Sequence, residues 1–582
     1  MTSVRSRNRV RSFSAIVAVI VLAAVGLIVL PTAASAATFA VTSNADSGSG
    51  TLRQAILDAN AAAGADTITF APSLPTIVLL STITVTETLT IDGSATPVTI
   101  TGQGGLFALL IIAPSTANQD FALNDVVFDG TASTGWTGVA LDTGFGALNN
   151  TERSLTLTRM TAKNINSGPF QGAGLRDFVM QNTGPITIAD STFSNNTSST
   201  STGNGGGALY FRGTNGLVTI TGSTFTSNSA ISGGAIFLDF TVADVAISSS
   251  TFTANSATGP ASASVTDGRG GAIAGNSVGN LTVTASTFSG NTAFTGDGGA
   301  IAIAAFALAA DQATITNSTF SGNHAKTGGA FWSATTIGDI AVAGSTFSGN
   351  TVSTAPIDNP LGNSIRLSGV GNHGLSISSS TSDEAVVGFD TWAISVESTG
   401  TSPLTIAHST IVGPGAVKIG ALTGAASSIT HSILSSVGAA NDALVVTTPG
   451  AGTIAASWNL DSGVSAAYLA LGAGNQFSVS DFGLAALANN GGPTMTRLPS
   501  DASPAHNSGN PSIVGAPSAD QRGLARVVQT IDIGAVELQT LALAATGVTV
   551  QPWLPIGAIL LVAFGIAAVV FGRRRRRGLH RR

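Results

Sequence analysis

Six phenylalanines recur along the middle of this chain, each preceded by Ser-Thr and followed three residues later by asparagine. They are Phe193/Asn196, Phe225/Asn228, Phe252/Asn255, Phe288/Asn291, Phe320/Asn323 and Phe347/Asn350. Three of them lie in copies of one hexapeptide, Ser-Thr-Phe-Ser-Gly-Asn, starting at Ser286, Ser318 and Ser345. The intervals of 32, 27, 36, 32 and 27 residues are too short for a domain. A unit of that length cannot bury a core alone and must stack on its neighbours. Between the phenylalanines runs a second motif, Gly-Gly-Ala, at Gly206, Gly233, Gly270, Gly298 and Gly328. The connecting segments, such as VTITGSTF and LTVTASTF, alternate apolar residues with Ser/Thr, the period of a strand. The expected fold class is therefore all-β, a right-handed parallel β-helix (solenoid). About 12 to 17 rungs would stack roughly 4.8 Å apart.

In such a stack, equivalent residues of successive rungs lie above one another. The phenylalanines predict a column of rings in the core, and the asparagines an amide ladder that satisfies a buried turn. The glycine pair supplies backbone angles that other residues resist. These roles are structural, not catalytic. With no cysteine anywhere, disulfides and thiolate metal sites are excluded, and the columns must supply the stability instead.

The two ends read as addresses. Arg5, Arg7, Arg9 and Arg11 precede an apolar stretch and Ala34-Ser35-Ala36, a signal peptide over 1–36 with cleavage between Ala36 and Ala37. Near the other end an apolar segment, 553–572, is long enough to cross a bilayer as a transmembrane helix and is followed by Arg573–Arg577. The two terminal segments hold eleven arginines and no acids. The remainder carries 13 Lys/Arg against 30 Asp/Glu, a net charge near −17. Nucleic acid and anionic membrane are poor partners for such a surface.

Several blocks resemble known families. Gly-Gly-Ala-Ile alternating with Phe-x-x-Asn resembles the repeat of polymorphic outer-membrane proteins, found in secreted adhesins and β-helix surface proteins. Leu543-Ala544-Ala545-Thr546-Gly547, with the apolar span and basic tail after it, resembles the cell-wall sorting signal of Gram-positive surface proteins. That resemblance implies cleavage by a sortase after Thr546 and transfer to a peptidoglycan precursor. The run Gly50-Thr51-Leu52-Arg53-Gln54-Ala55 resembles the Cys-Ser-Leu-Arg-Glu-Ala segment that precedes bacterial β-helices, here without the Cys and Glu. The stretch LRQAILDANA sets Leu52, Ala55, Ile56 and Ala59 on one helical face, and is read as a helix capping the first rung. The segment from ALANNGGP through DQRGLAR and DIGAVE resembles the C-terminal module of anchored surface proteins, with Asp520, Arg522, Arg526 and Asp532 as an ion-pair set closing the last rung. The expected organisation is a signal peptide (1–36), cap and first rungs (37–110), β-helix (111–480), capping module (481–540) and sorting signal (541–582).

For function, strand alternation sends one column outward beside each Gly-Gly-Ala. Tyr210, Phe237 and Trp332, with Arg212, Asp239 and Asn276 alongside, form a candidate glycan-binding face. Gly-Asn-His373-Gly resembles a segment of polygalacturonases, but that family's paired aspartates have no counterpart here; only Asp358 lies just upstream. Thr/Ser-rich faces also suggest a hydroxyl array for an ordered surface, which loops of variable length would interrupt. No cofactor or metal is implied. The expected role is a wall-anchored display rod or adhesin, with a polysaccharide lyase or glycoside hydrolase as the alternative.

Overall fold

The computed structural model describes residues 35–539 except for short segments. These are 104, 106–107, 114–118, 132–138, 143–153, 178–183, 200–204, 214–215, 241–242, 260–267, 309–310, 335–337, 354–360, 369–373, 385–390, 400–401, 423–425, 438–441, 450–451, 464–468 and 514–515. Residues 1–34 of the signal peptide, the sorting pentapeptide Leu543–Gly547, the 553–572 span and the Asp358 and His373 positions lie outside the described residues. Among the described residues no helix is long and apolar enough to cross a membrane.

The described residues up to Leu538 form one compact unit, a parallel β-helix. Its strands fall into sheets of 16, 14, 13 and 5 strands, and every strand pair described in them is parallel. The first face runs from Thr38–Val41 to Leu469–Leu471, the second from Ile77–Leu79 to Leu460–Asp461, and the third from Ile83–Val85 to Leu444–Pro449. A short fourth face holds five strands from Ser229–Ala230 to Thr351–Val352. Strand burial alternates as the sequence does, for example buried Val218 and Ile220 with half-buried Thr219 and Thr221.

The corner between the first and second faces is the most regular part of the fold. From Leu155–Thr158 to Leu460–Asp461 it is two residues long in every rung. The first of the two is always left-handed, whether it is Arg159, Asp190, Gly222, Ala285 or His431. The second is a serine from Ser191 to Ser432. Each serine hydroxyl donates to the carbonyl two residues back and accepts the N–H of the equivalent residue one rung earlier, Met160 for Ser191 and a serine thereafter. Ser286 N–H reaches Ser318 Oγ at 3.2 Å, and Ser318 N–H reaches Ser345 Oγ at 3.1 Å. This serine ladder had a sequence signal, the Ser of Ser-Thr-Phe, whose role only the corner geometry shows.

The phenylalanines stack in pairs 4.6 to 4.9 Å between ring centroids and within 7° of parallel, from Phe193 to Phe347. Isolated rings prefer offset or edge-to-face contact; here the strand spacing of about 4.8 Å imposes the stack.

The asparagines are polar, yet Asn196, Asn228, Asn255, Asn291, Asn323 and Asn350 are all wholly buried, 0 % exposed. Burial of six carboxamides is tolerable only if each finds partners, and the ladder supplies them. Asn228 Nδ2 donates to Asn255 Oδ1 at 3.0 Å and to the Phe193 carbonyl at 2.9 Å. Asn255 Nδ2 donates in turn to Asn291 Oδ1 at 3.0 Å and to the Phe225 carbonyl at 2.9 Å. Asn291 repeats the pattern on Asn323 Oδ1 and the Phe252 carbonyl, and its N–H donates to the same Oδ1.

The residue before each ladder asparagine is left-handed: Asn195, Ser227, Ala254, then Gly290, Gly322 and Gly349. In Gly-Gly-Ala the two glycines have separate jobs. The first is left-handed at Gly233, Gly270, Gly298 and Gly328. The second makes room for the next rung, since a Cβ on Gly299 would lie 2.0 Å from the Gly329 carbonyl oxygen.

The regular stack ends at one rung. Phe347 is followed in register by Ser382, and Asn350 donates to Glu384 from both its backbone N–H (2.6 Å) and Nδ2 (2.9 Å). Ser364 also donates to this carboxylate and pairs with Ser382. A small cavity of about 10 Å³, lined by Phe347, Ser364, Ser382 and Ile411 among others, marks the missing ring.

At the other end, helix Leu52–Ala61 forms where expected, with Leu52, Ala55, Ile56 and Ala59 buried and Thr51 capping it through Gln54 N–H. It packs on Thr38–Val41, Asp66–Phe70 and Ile83–Val85, covering the first strands.

Two expectations follow. Replacing Asn291 and Asn323 together by alanine removes their amide bonds and strands the carbonyls of Phe252 and Phe288. We expect a loss of about 2 kcal/mol per asparagine, read as a lowered thermal midpoint; an unchanged midpoint would refute the ladder's role. The second concerns Glu384, whose carboxyl is pushed by burial up to about 7 from 4.5. The folded state therefore holds this proton more tightly than the unfolded chain. The stabilisation is full below about 4.5 and is lost as pH rises through 7. Glu384→Gln removes the charge and leaves one acceptor oxygen, which can take both Asn350 donors as the Asn255 Oδ1 takes both of Asn228. It should gain roughly 3 kcal/mol over wild type at pH 8 and little at pH 4, measured by denaturant titration.

Candidate functional site

From Arg159 onward the first-to-second corner is two residues long, so every long connection in those rungs leaves elsewhere. Residues 143–154 and 304–311 join the third face to the first, and 258–272 join the fourth to the third. The third face is thus edged by loops on both sides, while the first and second faces are not interrupted. Loops positioned by a rigid scaffold are where recognition residues collect.

The third face carries an outward row that mixes charged and aromatic residues. Its outward column runs in register through Asp142, Arg176, Tyr210, Phe237, Ala274, Ala302, Trp332, Arg366, Ser395 and Lys418. The residues singled out from alternation do share this face. They do not form an open platform, and here the expectation is corrected. Tyr210, Phe237, Asp239 and Trp332 are at most 3 % exposed. Alternation fixes which side of the sheet a residue faces; it says nothing about what covers that side. Tyr210 and Phe237 rings stack at 6.0 Å, and the Tyr210 hydroxyl donates to Asp239 Oδ2 at 2.8 Å. Asn276 Nδ2 donates to Asp239 Oδ1 at 3.1 Å. Burial, with Asp239 beside it, pushes the Tyr210 phenol up. Burial likewise lowers the Arg176 guanidinium, against the pull of Asp142 at 3.7 Å.

The accessible part is the rim. The Arg212 guanidinium lies over the Phe240 ring at 4.7 Å from its centroid, and Phe240 is 57 % exposed. Asn276 is half-buried, and Leu308 on the same edge is 66 % exposed. Further along, Arg269 covers Trp332 at 4.2 Å and pairs with Asp297 at 3.4 Å. Sequence reasoning missed Phe240 and Arg269 because their placement depends on loop geometry. The ladder set, by contrast, offers a ligand nothing. Asn228 and Asn255, like Asn196, Asn291, Asn323 and Asn350, lie inside the rod with their amides bonded to one another. They belong to the core and to no binding surface.

The C-terminal module is the second place where chemistry-bearing groups gather. Its ion-pair set was expected to close the last rung. Instead the module lies along the second face, over the rungs from Gly344 to Leu460. Thr494 donates to the Gly344 carbonyl, Thr346 to the Met495 carbonyl and Ala535 N–H to Thr410 Oγ1. Gln521 bridges Thr381 Oγ1, Thr346 Oγ1 and Thr494 Oγ1 at 2.6 to 3.0 Å. Asp520 and Arg522 pair at 2.8 Å. Arg526, fully buried, donates to His408 Nδ1 and the Gly534 carbonyl; burial lowers it to about 10. Asp532 accepts the N–H groups of Asn507 and Leu538. His408, His431 and Trp458 occupy the left-handed corner position and stack in a column under the module. Burial holds both imidazoles down, to about 3 and about 4. These groups are structural supports. Among the described residues no group of three or more His, Asp or Glu could hold a metal ion.

Two segments, 190–212 and 285–304, match the Chlamydia polymorphic membrane protein repeat. Each contains one Ser-Thr-Phe corner and one Gly-Gly-Ala turn. No curated protein matches the chain. A parallel β-helix with polymorphic-membrane-protein-type repeats is what the fold and this match together support.

Gln521→Ala should cost about 2 kcal/mol of module docking. Hydrogen exchange is expected to rise across 484–535 and to stay unchanged over the rungs from Ile186 to Ser321. Equal exchange in both regions would overturn the bridging role.

Proposed function

We propose that the chain is a cell-surface display protein, a right-handed β-helix rod whose loop-edged third face recognises an extracellular glycan or protein, as an adhesin does. The observation that carries this reading is that the face bordered by loops on both sides also presents aromatic rings and charged groups at its rim, Phe240 beside Arg212 and Trp332 beside Arg269. The match to a repeat of outer-membrane surface proteins supports surface display. Export would use the 1–36 signal. Anchoring would use the Leu543–Gly547 signal, with sortase and a peptidoglycan precursor as partners and the 553–572 helix holding the chain in the membrane until cleavage. On this reading the rod carries no cofactor or metal and catalyses nothing.

The purified chain would be presented with a panel of acidic and neutral polysaccharides while retained ligand and new reducing ends are followed. Retention without product is expected. It should weaken about tenfold or more when Arg212, Phe240 and Asn276 are replaced by alanine, since a few rim anchors carry most of such binding. Steady release of reducing ends would instead make the protein a lyase or hydrolase.

A further inference from the structure

The second face changes character along the rod. In its lower half, Thr192, Thr224, Thr251, Thr287 and Thr319 occupy one outward column in strict register, with Ser194, Thr226, Thr253, Ser289 and Ser321 two residues on. Short left-handed corners bound each strand on both sides, so the interruption by loops expected from the sequence does not occur here. The stacked rings and two amide and hydroxyl ladders behind these columns hold them rigid. Between Thr192 and Ser321 neither column carries a charge; the register places Lys163 one rung before Ser194. The five threonines of the first column are half-buried, and among the described residues their hydroxyls have no hydrogen-bond partner.

The same column continues as Thr346, Thr381 and Thr410, which are at most 2 % exposed. There it is covered by the C-terminal module, and its hydroxyls are in use. Thr346 donates to a backbone carbonyl, Thr381 to the carboxamide of Gln521, and Thr410 accepts a backbone N–H. One face of one rod therefore shows the column both occupied and empty. The occupant there is polypeptide: three separate stretches of the module, at Met495, Gln521 and Ala535, meet the hydroxyls of three successive rungs through amide and carbonyl groups.

We propose that the uncovered stretch, Thr192 to Ser321, is a docking site for an extended, uncharged segment of a partner polypeptide, seated as the chain's own module is seated on the adjoining rungs. The site is separate from the third face and does not depend on its role. Absence of charge disfavours ionic partners. A sugar chain would look for a ring face, and these two columns offer none. The interface continues without a break into one already formed, where polypeptide is the ligand.

The test uses the full chain and a fluorescent peptide, Leu-Ala-Asn-Asn-Gly-Gly-Pro-Thr-Met-Thr, which copies the uncharged run Leu487–Thr496 of the module. Saturable binding is expected below about 1 mM. The fourfold variant Thr224→Val, Thr251→Val, Thr287→Val, Thr319→Val keeps side-chain shape and removes hydroxyls that support no internal bond. Its thermal midpoint should match wild type, and its affinity should fall at least about tenfold. Because the chain has no native cysteine, Thr251→Cys labelled with a bulky maleimide gives a second route and should block the peptide. Lack of saturation, or binding that ignores both changes, would overturn the proposal. So would retention of an N-acetylated chito-oligosaccharide, lost in the valine variant, with no peptide binding; that result would make the face a glycan surface.

Discussion

Everything in this structure depends on the distance between rungs. Parallel strands bonded at about 4.8 Å force any residue that repeats with the turn into a column at that spacing. A column is stable only if its members tolerate their own copies as neighbours. Phenyl rings do, face to face at 4.6 to 4.9 Å. Carboxamides do, because each is both donor and acceptor, as Asn228, Asn255 and Asn291 show in succession. Serine hydroxyls do for the same reason. Like charges do not, and the asparagine ladder meets a charged group only where it stops. At Glu384 the carboxylate can accept from Asn350 but cannot pass the ladder on.

That rule also explains the division of labour among faces. A corner that stays two residues long from Arg159 to Asn459 leaves no room for insertion. The first and second faces are therefore smooth, and variation in turn length is displaced to the two borders of the third face. The irregular residues follow the loops: Tyr210, Asp239 and Asn276 form a hydrogen-bonded group there, with Arg212 at its rim. The smooth second face serves instead as a seat, filled at its upper end by the module.

The module shows how a rod without disulfides secures its last rungs. Its contacts are spread over successive rungs from Gly344 to Leu460, so release requires several to open together. Beneath it His408 and His431 are buried as neutral imidazoles, and Arg526 keeps its charge although burial lowers it to about 10. Their role is packing and hydrogen bonding, at a cost in desolvation that burial of a full ion pair would raise further.

Spacing along the chain is enough to set the stack. Register is fixed where identical residues must meet, so Phe193 to Phe347 and Asn196 to Asn350 were legible as columns before any coordinate, and the capping helix from the pattern of Leu52, Ala55, Ile56 and Ala59. What alternation could not decide was exposure. Tyr210, Phe237 and Trp332 do point away from the core, yet their burial depends on neighbours that no local pattern encodes. Nor could spacing say that Glu384 ends the asparagine ladder, since a single departure from a repeat has no period. The path of the module along the second face was equally closed to it. Contacts such as Gln521 with Thr381 join residues 140 positions apart, and it takes the folded rod to bring such distant hydroxyls and amides within reach.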